Sequence, residues 1–555
     1  MNANRATTFP EVAYIRFGRA GHLSFLWVGL VCNSIVSACI LLGGGTVVTA
    51  LTGMDAYAAL FLIPVGVAVY VATGGLRATF ISDATHTFFL LGILLCFSLI
   101  VYTKSAIIGS PAKLHEMLTE AAKTAPVVGN YHGSYLTYRS RPGAIFAVQS
   151  IITGFGLVNC DQGYWSRAIA SNPSTTAKAY FLGGFAWFSI PLACGTTLGL
   201  AARALGTQPD FPVLSAFDVS AGLVGVEAAT YLFGKAGAVL MLLLVFLSVT
   251  SALSAEMIAA STLLSLDVYR HYFNPTASSQ QVVKASRLFI VFWAVFSAAL
   301  ASIFKAVGIS LGWLFYFLGV ATASGVFPVA LTFMWKDLNK IGAVAGSVGG
   351  MAIALVVWLV AAKATGGAIT VDTLSDQWVS FAGNVAAIVS GGVLSVGLSL
   401  WKPANFDWEK TRQMEVVRDE TENETGAEQV DGSGRSGGAD SDDKKEADDE
   451  KNVLDARQPE LEAGVTADGL DLGALQQTYK YYGWIFAALA LIITIIIPVP
   501  LGAAPYIFSP KFLAGFIGVN IVWLLFAAFL VVFLPIIESR KALARIVRRI
   551  VASIF

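Results

Sequence analysis

Cysteine is scarce in this chain and charge is thin. Of 555 residues only Cys32, Cys39, Cys96, Cys160 and Cys194 are cysteines. All lie in or beside apolar runs and none forms a CxxC pair, so they read as small buried hydrophobes and not as a disulfide framework. Charged residues make up 13% and cancel to a formal net charge of zero, which speaks against a nucleic-acid partner. There is no Walker loop, no HExxH and no nucleophile–base or metal constellation, so nothing points to an enzyme or to a cofactor. Gly342, Gly346 and Gly350, in GAVAGSVGG, have the spacing of close helix packing and not of a phosphate loop. Residues 1–22 are polar, with Arg5, Arg16 and Arg19, and lack the apolar core and cleavage site of a secretory signal peptide.

What fills the chain is apolar sequence. Hydrophobic residues make up 56% and mean hydropathy is +0.68, which places the protein in the polytopic membrane class. About twelve spans are predicted, near 23–50, 56–73, 80–103, 143–160, 178–200, 237–265, 286–305, 309–334, 341–361, 381–401, 480–498 and 512–535. Each must be a helix, because backbone polar groups in lipid have to pair internally. The organisation is therefore an N-terminal segment 1–22, a core 23–401, a linker 402–479, two further spans in 480–536 and a basic tail 537–555. Short loops holding Arg77, Arg167, Arg270, Lys284, Arg287, Lys336 and Lys340 place both termini in the cytoplasm by the positive-inside rule. Residues 104–142 would then be extracellular. The linker, with GSGRSGG at 432–438 and DSDDKKEADDE at 440–450, is too charged to bury a core and reads as disordered. The Asn423 sequon falls within it, on the side where no glycan is added. The tail is either a helix on the inner membrane surface or a solubilising end.

Three stretches carry polar chemistry at membrane depth. The span 237–270 holds Ser248, Thr250, Ser251, Ser254 and Glu256. A carboxylate at the bilayer centre costs at least ~2.5 kcal/mol, so Glu256 should face the bundle interior. Ser248 and Ser251 fall on one helical stripe, with Glu256 about 80° from Ser248. The two hydroxyls would either ligate a monovalent cation or bond back to their own helix. The fourth span ends in Asn159, Asp161 and Gln162 after Gly154 and Gly156. Either it unwinds at the glycines to form a solute or ion site, or it ends near Asn159 with Asp161 at the interface. In GGLRATFISDATHT (74–87) the glycine pair makes a tight turn. Asp83 then lines an inner vestibule or simply starts a helix.

Four stretches resemble the sodium/solute symporters. They are PEVAYIRFGR (10–19), GGLRATFISD (74–83), DQGYWSRAIAS (161–171, with Ser166 where Gln is usual) and SAEMIAASTLLSLDVYR (254–270). The urea active transporters of fungi and plants, some of which take polyamines, are the most similar members. The resemblance implies an all-α, leucine-transporter-type inverted-repeat bundle working by alternating access. It implies cation positions at Ser248 and Ser251, with Ala252 lacking the hydroxyl common in sodium-coupled members, which favours H+ over Na+ as the coupling ion. It places Asn159, Asp161, Gln162 and Glu256 around the solute, and Asp83 and Glu256 on the coupling path. It also implies that the first span here corresponds to the family's third core helix, with the first core helices missing and about fifteen spans expected. The expected function is import of urea or a similar small polar solute through the plasma membrane. The alternatives are a non-transporting sensor or remnant, a sodium-coupled carrier of another solute, and a passive channel.

Overall fold

The computed structural model describes residues 6–413, 471–540 and 544. Most of the linker, with its Asn423 sequon, and nearly all of the basic tail lie outside the described residues. The chain is helical: α1 (Phe9–Thr52), α2 (Ala56–Thr103), α3 (Pro111–Thr124), α4 (Arg141–Cys160), α5 (Gln162–Ala170), α6 (Pro173–Leu205), α7 (Val224–Phe273), α8 (Ser279–Ala306), α9 (Leu311–Met334), α10 (Lys340–Gly366), α11 (Gln377–Trp401), α12 (Gly473–Ala503) and α13 (Pro510–Glu538). Helix starts follow a simple local rule. Ser110, Ser140, Asn172 and Ser509 each accept a backbone N–H with the side chain and are followed by a proline in the first turn, where its missing N–H costs nothing.

Among the described residues eleven helices are long and apolar enough to cross a membrane. Helix α2 has 48 residues, about 72 Å of rise, more than twice the ~30 Å of hydrocarbon. It is folded back at Gly75 (φ 53°, ψ −149°), a conformation essentially closed to residues with a Cβ. Counted as two legs, α2 brings the crossings to twelve. Helix α1 is broken in the same way at Gly18 (φ 68°, ψ −163°). Its first leg, Phe9–Phe17, lies within the segment expected to precede the first span. The linker also narrows: Ala404 and Phe406 donate backbone hydrogen bonds to Asp337 and Lys336, and helix has resumed by Leu472.

Long-range contacts sort the loops into two ends. At one end Arg16 reaches the carbonyls of Leu331, Thr332, Trp335, Lys336 and Leu338. Arg167 pairs there with Asp83, and Lys178 with Glu538. At the other end Gln377 donates to Pro142, Thr137 to Tyr506, and His115 to the Phe508 carbonyl. The loops holding Arg167 and Lys336, two of those singled out by charge, lie at the first end. The core runs along α1, α2, α7, α8, α9 and α10. Large side chains such as Trp187, Leu288 and Val522 are exposed on the outside, as a lipid-facing surface requires.

Candidate functional site

The centre of the site is one amide. Asn33, on α1, donates from Nδ2 to Asp161 Oδ1 at 2.8 Å and to Glu256 Oε2 at 2.7 Å. All three side chains are buried, at 0%, 3% and 4% exposure. Asn33 Oδ1 has no partner. Counting 1.5 Å per residue, Asn33 stands about 22 Å from Gly18 and about 28 Å from Thr52, so the cluster lies deep between the two ends.

Asp161 is where the fourth span breaks. Helix α4 is continuous through Gly154 and Gly156 to Cys160, Asp161 is extended (φ −89°, ψ 118°), and α5 begins at Gln162. Thus the helix is interrupted, but not at the glycines. Gly156 is small because a Cβ there would run into Thr322 and Ala323 of α9, and that is packing. The Asp161 carboxylate also caps α5 through Gly163 N at 2.7 Å. One oxygen therefore serves a helix N-terminus and the Asn33 amide together, an arrangement that suits negative charge.

The other expected site residues fall in different places. Asn159 donates to the Phe155 carbonyl of its own helix and stays out of the cluster. Gln162 is buried but faces the other way, donating to the Thr7 carbonyl at 3.2 Å and accepting from Phe9 N at 3.3 Å. Ser251 donates to Asp83 Oδ1 at 2.5 Å, and Asp83 Oδ2 accepts from Arg167 at 2.7 Å, so these form a second polar group. Ser248 bonds back to the Leu244 carbonyl and, with Ala252, lines a cavity of about 400 Å3 against Gly43, Gly44 and Leu311. The two serines expected to share a cation thus face different surroundings. A larger cavity of about 770 Å3 between α1, α2 and α7 is mostly apolar; Ser82 and His86 line it, and none of the site carboxylates does.

Sequence reasoning passed over three residues. Asn33 is a lone polar residue in LVCNSIVSACI, and its two partners lie 128 and 223 positions away. Its signal was an amide with no local use at the middle of an apolar run. His22 and Asp267 form a buried pair near the Gly18 break: His22 Nε2 donates to Asp267 Oδ1 at 2.8 Å. Asp267 sits inside a quoted motif, but nothing in its neighbourhood announces a partner on the first helix.

Against known proteins, the profile described as "Sodium:solute symporter family" matches residues 1–350. The urea active transporter of Saccharomyces cerevisiae is 36% identical over 98% of this chain and 77% of its own length. The urea-proton symporter DUR3 of Oryza sativa subsp. japonica is 42% identical over 74% of this chain and 58% of its own. A solved structure of a Na+-coupled sialic acid symporter, substrate-bound and outward-open, superposes with a TM-score of 0.51 at 17% identity, covering 71% of this chain and 78% of that one. That likeness shows the fold, the leucine-transporter type expected from the motifs. The family profile and the relatives agree, and this multi-pass membrane protein belongs to the sodium:solute symporter family.

Proposed function

We propose that the chain carries urea through the plasma membrane by proton-coupled symport with alternating access. The names of the yeast and rice relatives support urea as the solute. The observation that carries the reading is the Asn33–Asp161–Glu256 cluster. Two carboxylates converge on one amide at membrane depth, and the amide's own oxygen is free. Urea offers two –NH2 groups and needs acceptors, and this oxygen-rich cluster supplies them. Two carboxylates brought together away from water also require a compensating positive charge, and a proton supplies it without a coordination shell. The divergence of Ser248 and Ser251, together with the methyl group of Ala252, supports the proton over sodium. In this reading Asp83, held between Ser251 and Arg167, belongs to the path of the departing ion. Both termini are cytoplasmic in this reading.

The test is uptake of labelled urea in cells that lack their own carrier. Uptake should rise as the external medium is acidified and be indifferent to replacing sodium with choline. Glu256→Gln and Asp161→Asn should each abolish accumulation against a gradient. Uptake that needs sodium and ignores pH would reverse the coupling ion. Uptake untouched by both substitutions would remove the site.

A further inference from the structure

A cavity of about 790 Å3 lies among α4, α6, α12 and α13, and no residue of the carboxylate cluster lines it. One wall is α12, through Ile493, Thr494, Ile497 and Leu501. There the helix widens into a π-type turn at Ile492–Ile496 and then meets Pro498 and Pro500; widened turns of this kind recur at functional sites. The facing wall is α13, through Phe512, Gly515, Phe516, Val519 and Trp523. Phe188 of α6 stacks on Trp523, with 5.0 Å between ring centroids and 26° between planes. Phe512 to Trp523 is about 17 Å of helix rise, so the cavity is a slot that runs from one end of the bundle deep into the span. Its space is open: an added Cβ at Gly515 would meet nothing within 4 Å.

The polar side chains of the slot are turned away from it, with one exception. Thr494 Oγ1 donates to the Ala490 carbonyl of its own helix, and Trp523 Nε1 donates to the Phe185 carbonyl at 3.1 Å. Asn520 donates to Thr196 Oγ1 at 3.1 Å, and its own oxygen is covered. The exception is Tyr138 at the mouth, beside Thr137, which donates to the Tyr506 carbonyl. The Tyr138 ring is braced by Phe508 and Phe516, at 5.5 and 6.1 Å, and its hydroxyl makes no hydrogen bond to a described residue. No residue lining the slot is charged.

We propose that this slot is a sterol-binding site, with the sterol hydroxyl on Tyr138 at the mouth, the fused rings between the aromatic side of α13 and the aliphatic side of α12, and the tail toward Trp523. The occupant comes from the bilayer, because the slot is continuous with the lipid-facing surface: Ile497 is 51% exposed and Val519 60%. Charge then selects among lipids. A phosphate head group or a fatty-acid carboxylate calls for charge-assisted partners, and the lining has none. A neutral body with a single hydroxyl matches a lining with a single free polar group. A rigid ring system also gives up little conformational freedom on entering, whereas an acyl chain gives up much. The occupant would supply what α12 lacks. No residue of Gly473–Ala503 is buried, so the helix has little packing of its own against the bundle, and in lipid close packing is the main source of helix association. None of this depends on the urea reading.

The test is photolabelling of the full chain in phosphatidylcholine nanodiscs with a cholesterol analogue that carries a diazirine on its rings and an alkyne on its tail. Mass spectrometry locates the adducts. Saturable labelling within residues 492–501 and 512–523, displaced by unmodified cholesterol, is expected. Gly515→Leu fills the slot and should cut the labelling by about tenfold or more, the effect of overfilling a packed site. Tyr138→Phe should cut it by about two- to tenfold, the effect of one hydrogen bond. Gly518→Leu is the control: its Cβ would also meet nothing within 4 Å, but it lies outside the lining, and labelling should be unchanged. Elution as a single species qualifies each variant. Should Gly515→Leu fail to fold, Ile497→Trp fills the slot from the opposite wall. Labelling that does not saturate, that survives in the filled variant or that ignores Tyr138→Phe overturns the site. Displacement by oleic acid as readily as by cholesterol assigns the slot to an acyl chain and overturns the sterol.

Discussion

Asn33 does at the residue scale what a pair of carboxylates cannot do for themselves. Its two N–H bonds hold Asp161 and Glu256 on one point, and each bond is charge-assisted when its acceptor is ionised. Replacing it with Leu keeps the volume and removes both. The carboxylates would then be buried with a donor fewer each, at a cost of roughly 1–3 kcal/mol for every group left unsatisfied. Asn33→Leu is therefore expected to lower urea uptake by about a hundredfold or more, with a drop in melting temperature of the solubilised protein. Wild-type uptake in that variant would mean that the amide is a packing residue. The polar residues legible in the sequence were those in clusters or quoted motifs. A lone uncharged amide gives no comparable warning, because its cost in lipid is lower than a charge's and its partners are remote in the chain.

At the scale of the element, the breaks matter more than the spans. The pair Gly74-Gly75 announced a turn, and the structure places the reversal on Gly75. The pair Gly154 and Gly156 looked similar in sequence but serves close packing, with the interruption displaced to Asp161. Glycine in an apolar run has two uses, backbone freedom and absence of bulk, and only the neighbours in space distinguish them. This gives a matched experiment. Gly75→Ala is expected to destabilise by roughly 1–3 kcal/mol through backbone strain alone, because its Cβ would meet nothing within 4 Å. Gly92→Ala, in the second leg of the same helix and equally free of neighbours, should be neutral or stabilise by about 0.5–1 kcal/mol. Denaturation midpoints of the two variants in detergent check the contrast. Equal effects would show that Gly75 is not held in its unusual conformation.

For the whole molecule, the apolar runs were enough to place the crossings and the class of fold, since lipid leaves helix as the sole option for each. The basic loops were enough to sort the two ends, and the contacts at each end agree with that sorting. What sequence could not supply was convergence: Ser248 and Ser251 lie three residues apart yet belong to different surroundings, and His22 finds Asp267 across 245 positions. Which end faces outward is open to a direct test. His132 is exposed, with φ 50°, a conformation Asn tolerates well. His132→Asn would complete an Asn-x-Ser sequon with Ser134 in the loop between α3 and α4. In eukaryotic expression this variant should gain one glycan, seen as an endoglycosidase-sensitive mobility shift, while the natural Asn423 sequon stays bare. A glycan on Asn423 instead would invert the topology.

Helix α12 deserves a different description from the rest. No residue of Gly473–Ala503 is buried, and its aromatic contacts with α6 are few, chiefly Phe181 with Tyr482 and Phe486. Helix α13, by contrast, sends Leu513, Ile517, Asn520, Leu524 and Ala527 into the bundle. It starts beside Phe508 and His115 at one end, whereas the chain leaves α11 beside Lys336 and Asp337 at the other. Helix α12 settles that parity. It is a ferry whose business is to change sides, and its composition answers to the bilayer more than to the protein it belongs to.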